Sequence, residues 1–329
     1  MFDLIIIGAG PAGIMAAYEA KKAGLDYLVI EKGLIGNTIY NYPVGLTVFS
    51  TTNELEFEDG GLDPAREKPT REELLSYYVR FVLEHDLNVQ AEEMVLSVSS
   101  VGSVVEGAKN NKTTENTEKD HFAIVTDKGR YESRNVLFAI GAMDYPRKLN
   151  VPGEDLPKVH EMFRETYPWV KKRALIIGGG NSAGEAALFL AQEGAETTLA
   201  IFRDDWESTD PKQGCIKYWV KEPLENELKE HCLNLFFLGK VIEIREGEVE
   251  LENENGDRET EQGKGGEVPV YDPETFETNV PGVYVAGHFT HQRHIKGAID
   301  ASKLLVPKLK ERLTAKDAKN AKLEKGRNE

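Results

Sequence analysis

Near the start of the chain, Gly8-Ala9-Gly10-Pro11-Ala12-Gly13 forms a G-x-G-x-x-G run able to hold a diphosphate. Gly8 permits a tight turn, Gly10 lets backbone approach two phosphates, and Gly13 lets a helix pack close to a strand. A helix starting there presents unpaired N–H groups to negative charge. Glu31 lies 18 residues past Gly13, at the end of the next apolar run, where a carboxylate can accept both ribose hydroxyl hydrogens. A second run, Gly178-Gly179-Gly180-Asn181-Ser182-Ala183, repeats the design as G-x-G-x-x-A. The position corresponding to Glu31 falls near Arg203, and a cation there favours a 2′-phosphate over a bare ribose. Lys217 can add a second positive contact. Asp204 and Asp205 weaken that preference, and a solvated surface charge is the other reading of Arg203. Two dinucleotide sites in one chain have a chemical use. One can hold a flavin permanently while the other admits a nicotinamide, so that hydride passes between them.

The elements that must position these loops alternate strand, helix, strand. Leu4–Ile7 is an apolar run of strand length, as expected of a strand buried on both faces. Pro11 opens a helix that Gly24 ends, and Tyr27–Ile30 is the next strand. The pattern returns with Ala174–Ile177, an Ala-rich helix over Ser182–Gln192 and a strand over Thr197–Phe202. Between the two units, Thr70–His85 reads as an amphipathic helix, and Phe122–Val125 and Tyr131–Ile140 suit strands. Residues 105–120 and 252–266 are polar excursions; the first is predicted to be a hairpin tip. Val268–Ala286 is strand-like, Gly297–Leu313 is a closing helix, and the tail from Ala315 is expected to fray. The predicted fold class is α/β, with two Rossmann-like, doubly wound, three-layer dinucleotide-binding domains. The first spans 1–152 and 268–329; the second, at 153–267, is inserted in it.

Composition bounds the function. Lys+Arg 40 against Asp+Glu 56 leaves a net charge of −16, which repels phosphate backbones and argues against nucleic acid as a partner. No apolar run approaches the ~20 residues that span a bilayer. The start, Met1-Phe2-Asp3-Leu4, has neither a basic region nor a cleavage site, so no secretory signal is expected. Cys215 and Cys232, separated by 16 residues, make neither a disulfide framework, nor a zinc site, nor a C-x-x-C pair. A reducing, cytoplasmic setting is expected.

Several stretches together resemble the low-molecular-weight thioredoxin reductase group of two-dinucleotide-domain flavoproteins, and within it the bacillithiol disulfide reductase branch. They are Gly8–Gly13, Ile39-Tyr40-Asn41-Tyr42-Pro43, Ala139-Ile140-Gly141, Val151–Pro157, Gly178–Ala183 and Asn279–Gly287. The resemblance covers roughly residues 1–310. It implies FAD in the first domain and NADPH, with NADH as the alternative donor, in the inserted one. Carried over, Gly8, Gly10, Pro11, Ala12, Gly13 and Glu31, with Lys32 beside it, would hold the ADP half of FAD. Asn41, Gly141, Gly287, His288 and the backbone of Ile295, Lys296, Gly297 and Ala298 would approach the flavin. Gly178, Gly180, Asn181, Ser182, Ala183, Arg203 and Lys217 would hold the nicotinamide dinucleotide. The group also implies a homodimer, and a rotating domain with hinges near Val151–Gly153 and Gly265–Glu267.

The sequence departs from the group in three places. His160–Trp169, where thioredoxin reductases carry C-x-x-C, has no sulfur, which excludes that dithiol exchange. Ala12 stands where the bacillithiol branch has a cysteine inside the first fingerprint. Between Val249–Leu251 and Val270–Asp272 about two dozen expected residues are missing, so the second sheet is predicted to lack a strand. His288 replaces an Asp that would accept a ribityl proton; neutral imidazole can accept it too. With His291 and His294 it invites a metal reading, set aside for want of a nearby Cys or carboxylate, and no metal is expected. The leading reading is an FAD-dependent NAD(P)H oxidoreductase whose acceptor is a low-molecular-weight disulfide or a ferredoxin-like electron carrier. The alternative is a flavin-binding regulatory or scaffold protein without turnover.

Overall fold

The computed structural model describes residues 1–101, 121–143, 146–207, 216–230, 233–253, 269–287, 289–291 and 294–325. The chain divides into two compact units, Met1–Tyr145 with Lys264–Glu329, and Pro146–Gly263. The first pass through unit 1 gives β1 (Leu4–Ile7), α1 (Pro11–Lys22), β2 (Tyr27–Ile30), α2 (Asn37–Tyr40), α3 (Thr52–Leu55) and α4 (Arg71–Glu84). It continues through β3 (Val89–Gln90), β4 (Val95–Val101), β5 (His121–Thr126), β6 (Arg130–Ser133) and β7 (Val136–Phe138). Unit 2 contains β8 (Arg173–Ile177), α5 (Asn181–Gln192), β9 (Glu196–Ile201), α6 (Arg203–Glu207), α7 (Tyr218–Lys229), β10 (Leu233–Ile244) and β11 (Val249–Asn253). The chain then returns to unit 1 for β12 (Val283–Val285) and α8 (Ile295–Lys325).

Unit 1 is built on a parallel five-stranded sheet in the order β12-β7-β1-β2-β3. β1 is central, and its four residues are all buried, which is why they are all Leu or Ile. α1 packs against α8, where the Ser302 hydroxyl donates to the Ala12 carbonyl at 2.9 Å. α4 begins at Thr70, whose hydroxyl accepts the Glu73 N–H while the Glu73 carboxylate accepts the Thr70 N–H at 2.8 Å. Its apolar face buries Leu74, Tyr77, Tyr78, Phe81 and Val82 in a core shared with Leu55 and Phe57. A separate antiparallel sheet, β4-β5-β6, completes the unit.

Unit 2 carries a four-stranded sheet in the order β11-β10-β9-β8, with β8, β9 and β10 parallel and β11 antiparallel. Among the described residues β8 is an edge strand, so the strand that bears the second glycine loop has a neighbour on one side only. α5 and α7 meet at Gly184, where an added Cβ would lie 3.0 Å from Val220 and 3.2 Å from Leu224. Ala187, Leu199, Ile201, Ile216 and Leu224 fill the core beneath.

Two local expectations change, and the contacts of a third segment are defined. Of the Val268–Ala286 stretch, the described residues 269–286 are mostly turn with β12 as their single strand, because Pro273 and Pro281 interrupt any ladder. The Asp272 carboxylate there accepts the Glu274 N–H at 2.7 Å, closing a local turn instead. The tail does not fray at Ala315, since α8 continues to Lys325 through an Ala- and Lys-rich stretch of high helix propensity. The Val151–Gly153 segment, expected as a hinge, is fastened to β10. Pro152 accepts the Ile244 N–H at 2.9 Å, and Gly153, at φ +82°, lies so close that an added Cβ would overlap the Ile244 carbonyl. Residues 105–120, Gly265–Glu267 and both cysteines lie outside the described residues.

Candidate dinucleotide sites

The first fingerprint lies at the carboxyl end of the unit 1 sheet. Gly8 donates its N–H to Ile30 at 2.8 Å, Ala139 donates to Ile7 at 2.8 Å, and Ala286 donates to Phe138 at 3.0 Å. The ends of β1, β2, β7 and β12 are thereby held side by side. The strands on the two sides of β1 are β2, reached through α1, and β7, reached after the rest of the first pass. The crevice at such a switch point is where doubly wound folds bind ligands.

Sterics explain the glycines. Gly8 has φ +109°, and a Cβ there would lie 2.5 Å from the Ala139 oxygen; one on Gly13 would overlap the Gly8 carbonyl. Gly10 differs, because a Cβ on it would meet nothing within 4 Å. It caps α1 without a side-chain bond, Pro11 follows at the first helical position, and the first turn holds no acid. Open space at the start of a helix whose first turn holds no acid fits a diphosphate. Glu31 is 7% exposed, and its two oxygens accept the Ala9 N–H at 2.7 Å and the Gly33 N–H at 2.8 Å. The carboxylate is thus fixed in orientation with lone pairs left for ribose hydroxyls. Lys32 beside it is exposed.

Residues far apart in the chain reach the same edge. A Cβ on Gly287 would lie 3.6 Å from the Ala12 Cβ. Buried Thr290 donates its hydroxyl to the Gly287 carbonyl at 2.7 Å, holding the turn before α8. Ile295 is half-buried and Ala298 buried, whereas Lys296 is exposed and paired with Asp300 at 3.1 Å. Gly141, at φ +66°, follows β7 with open space around it. Asn41 ends α2, its N–H donated to Asn37 at 3.1 Å. Arg71 braces that turn by donating to the Tyr40 carbonyl at 2.6 Å with its guanidinium 5.4 Å from the Tyr40 ring; its buried Nε has no partner among the described residues. His288 lies outside the described residues, and His291 and His294 are exposed. No group of three metal-ligating side chains occurs among the described residues.

The second loop copies the first. Gly178 donates its N–H to Ala200 at 3.0 Å, as Gly8 does to Ile30, and Gly180 caps α5 with open space around it and no acid in the first turn. Ala183 packs near Gly178, and Ser182 is exposed. The Asn181 carboxamide oxygen accepts the Lys217 N–H at 2.8 Å, tying the loop to the start of α7. Arg203 opens α6, pairs with Glu207 at 3.3 Å and stacks 4.2 Å from the Phe237 ring. Asp205 lies directly against Gly179, and burial raises its pKa.

Arg71, Thr290, Ser302 and Glu185 did not stand out in the sequence, and Asp205 did so only as a charge opposing Arg203. Glu185 is 8% exposed, one of its oxygens has no partner among the described residues, and burial pushes its pKa up to about 7. Its one sequence signal is a carboxylate on the apolar face of an Ala-rich helix.

Comparison with known proteins gives these loops a family. Residues 5–265 match the pyridine nucleotide-disulphide oxidoreductase family. The chain is 35% identical over 307 residues to bacilliredoxin reductase Bdr of Bacillus subtilis (strain 168), covering 86% of this chain and 88% of that protein. It superimposes on the structure of bacillithiol disulfide reductase Bdr (YpdA) from Staphylococcus aureus with a TM-score of 0.76 at 30% identity, over 94% of this chain and 98% of that one. It is also 28% identical over 209 residues to the ferredoxin–NADP reductase of Ignicoccus hospitalis (strain KIN4/I / DSM 18386 / JCM 14125), covering 63% of this chain and 58% of that one. With two glycine loops at the ends of parallel strands and a match over most of its length, the chain belongs to the pyridine nucleotide-disulphide oxidoreductase family, as a thioredoxin reductase-like flavoprotein with two Rossmann-type domains.

Proposed function

We propose that this chain is an FAD-dependent NAD(P)H oxidoreductase that reduces a low-molecular-weight disulfide. The observation that carries the reading is the pair of open glycine caps, Gly10 and Gly180, each following a parallel strand and each without an acid in the first turn of its helix. Unit 1 would hold FAD through Gly8–Gly13 and Glu31, with Asn41, Gly141, Gly287 and Ile295–Ala298 toward the flavin. Unit 2 would hold the nicotinamide dinucleotide on Gly178–Ala183, with Arg203 and Lys217 at its far end. FAD, when bound, supplies a two-electron relay between nicotinamide and acceptor. The residues' own work is positioning. The α1 terminus and Glu31 would fix the adenosine half, and backbone at the start of α8 would face developing negative charge on the reduced ring.

A low-molecular-weight disulfide as acceptor is supported by the likeness to the bacillithiol disulfide reductase of Staphylococcus aureus. The absence of C-x-x-C and the likeness to a ferredoxin–NADP reductase support a second acceptor, a ferredoxin-like carrier. Acidity and sparse cysteine support a cytoplasmic protein with no nucleic acid partner. The test is purification, a flavin spectrum, and anaerobic reduction by NADPH and NADH separately. Reoxidation by bacillithiol disulfide or by oxidised ferredoxin then decides the acceptor. A yellow protein that oxidises neither nucleotide with any acceptor would replace the enzyme reading with a flavin-binding scaffold.

A further inference from the structure

The two units answer the same structural question with different residues. In unit 1 the Glu31 carboxylate sits on Ala9, the middle residue of Gly8-Ala9-Gly10, and accepts its N–H at 2.7 Å. The matching residue of unit 2 is Gly179, in Gly178-Gly179-Gly180. The side chain that sits on it is Asp205, placed so that a Cβ on Gly179 would overlap Asp205 Oδ2 and the carboxyl carbon. By register alone the counterpart of Glu31 would be Ile201, since Ile7 pairs with Ile30 and Ile177 with Ala200, and each of the two follows by one residue. Ile201 is buried in the core and carries no acceptor. The first turn of α6 brings a carboxylate to that seat instead, 22 residues past Ala183, at the distance expected of a ribose-binding acid.

We propose that Asp205 is the ribose acceptor of the second dinucleotide site and selects a nicotinamide dinucleotide with a free 2′-hydroxyl, NAD(H), over its 2′-phosphorylated form. The proposal rests on the reading of Gly178–Ala183 as a nicotinamide dinucleotide loop and adds which of the two nucleotides it takes. Three features support it. The Asp205 carboxylate makes no hydrogen bond or ion pair among the described residues, unlike Glu31 with its two N–H donors. A partly buried acceptor without a donor is destabilising, and a ribose hydroxyl supplies one. Second, the cation nearest this seat in sequence is already matched: Arg203 is paired with Glu207 and lies over Phe237. A 2′-phosphate brought here would meet the Asp205 carboxylate at close range with that guanidinium engaged elsewhere. Third, the seat requires the glycine. With any side chain at position 179 Asp205 would be displaced, which gives the otherwise redundant middle glycine of Gly178-Gly179-Gly180 a purpose.

The test is calorimetric binding of NAD⁺ and NADP⁺, which do not reduce the flavin, to the full-length flavin-loaded protein and to Asp205→Asn and Arg203→Ala. Asn keeps the shape and removes the charge; unchanged flavin content and circular dichroism confirm the fold. Wild type is expected to bind NAD⁺ at least tenfold more tightly than NADP⁺. D205N is expected to weaken NAD⁺ about tenfold and to tighten NADP⁺, while R203A moves the preference less than threefold. If NADP⁺ binds more tightly to wild type, or if D205N leaves the ratio unmoved while R203A abolishes NADP⁺ binding, Asp205 is not the selector and the enzyme reading stands. If neither nucleotide binds to wild type, the nicotinamide reading of the second loop fails and this inference falls with it.

Discussion

Replacing Glu185 with Gln isolates the cost of an ionisable group that unit 2 buries with one oxygen unpaired among the described residues. The side chain projects from α5 into a region where it is 8% exposed and leaves one oxygen without a partner among the described residues. Burial raises its pKa from 4.5 to about 7. A carboxyl raised in the folded state favours folding when protonated, so its stabilising contribution is full below pH ~4.5 and is lost as pH rises toward ~7. At ~1.4 kcal/mol per pH decade, the interval from 4.5 to about 7 corresponds to ~3 kcal/mol, of which about 2–3 kcal/mol falls between pH 5 and pH 8. Gln cannot ionise and keeps the volume. Urea unfolding of the nucleotide-free protein at the two pH values reads the effect directly. E185Q should gain roughly 2 kcal/mol on wild type in going from pH 5 to pH 8, because all other groups titrate alike in both proteins. An E185Q-minus-wild-type difference that is the same at both pH values would refute the claim that this carboxylate is buried with one oxygen unpaired among the described residues.

Three further outcomes follow from the loops. Gly10→Ala should leave circular dichroism and thermal unfolding near wild type and lower bound flavin at least tenfold, since its Cβ meets no protein atom but fills the phosphate cradle. Gly13→Ala should instead destabilise unit 1 by about 2 kcal/mol or more, measured by unfolding, because its Cβ collides with the Gly8 carbonyl. Glu31→Gln keeps one acceptor and loses the other, leaving the Ala9 or the Gly33 N–H unpaired. A cost of about 1–3 kcal/mol and faster flavin loss on dialysis are expected.

Both glycine loops were legible because their signals are local. A short apolar run must be buried, a glycine-rich turn must follow it, and Ala-rich sequence with Pro11 at its head must be helix. The helix at Thr70 was equally plain from its amphipathic spacing, and its reciprocal cap with Glu73 holds the start the sequence indicated. What the sequence could not reveal depends on packing across long separations. Asp205 and Arg203 are two residues apart, and nothing local says which one lies on Gly179; the turn of α6 decides it. Glu185 looks like any helix glutamate until the core of unit 2 closes over it. Thr290 and Ser302 matter through bonds to Gly287 and Ala12, the latter 290 residues away. The strand predicted to be missing after β11 falls on a stretch of which residues 254–268 lie outside the described residues.

The central claim is electron transfer from a nicotinamide to a flavin held by this one chain. Anaerobic stopped-flow mixing of the purified yellow protein with excess NADH, and separately with NADPH, tests it in a single turnover. Bleaching of the flavin band by at least one nucleotide, with colour restored on adding a disulfide or an oxidised carrier, is the predicted result. A flavin that stays oxidised with both nucleotides, or a protein that is colourless and takes up no FAD, would contradict the account.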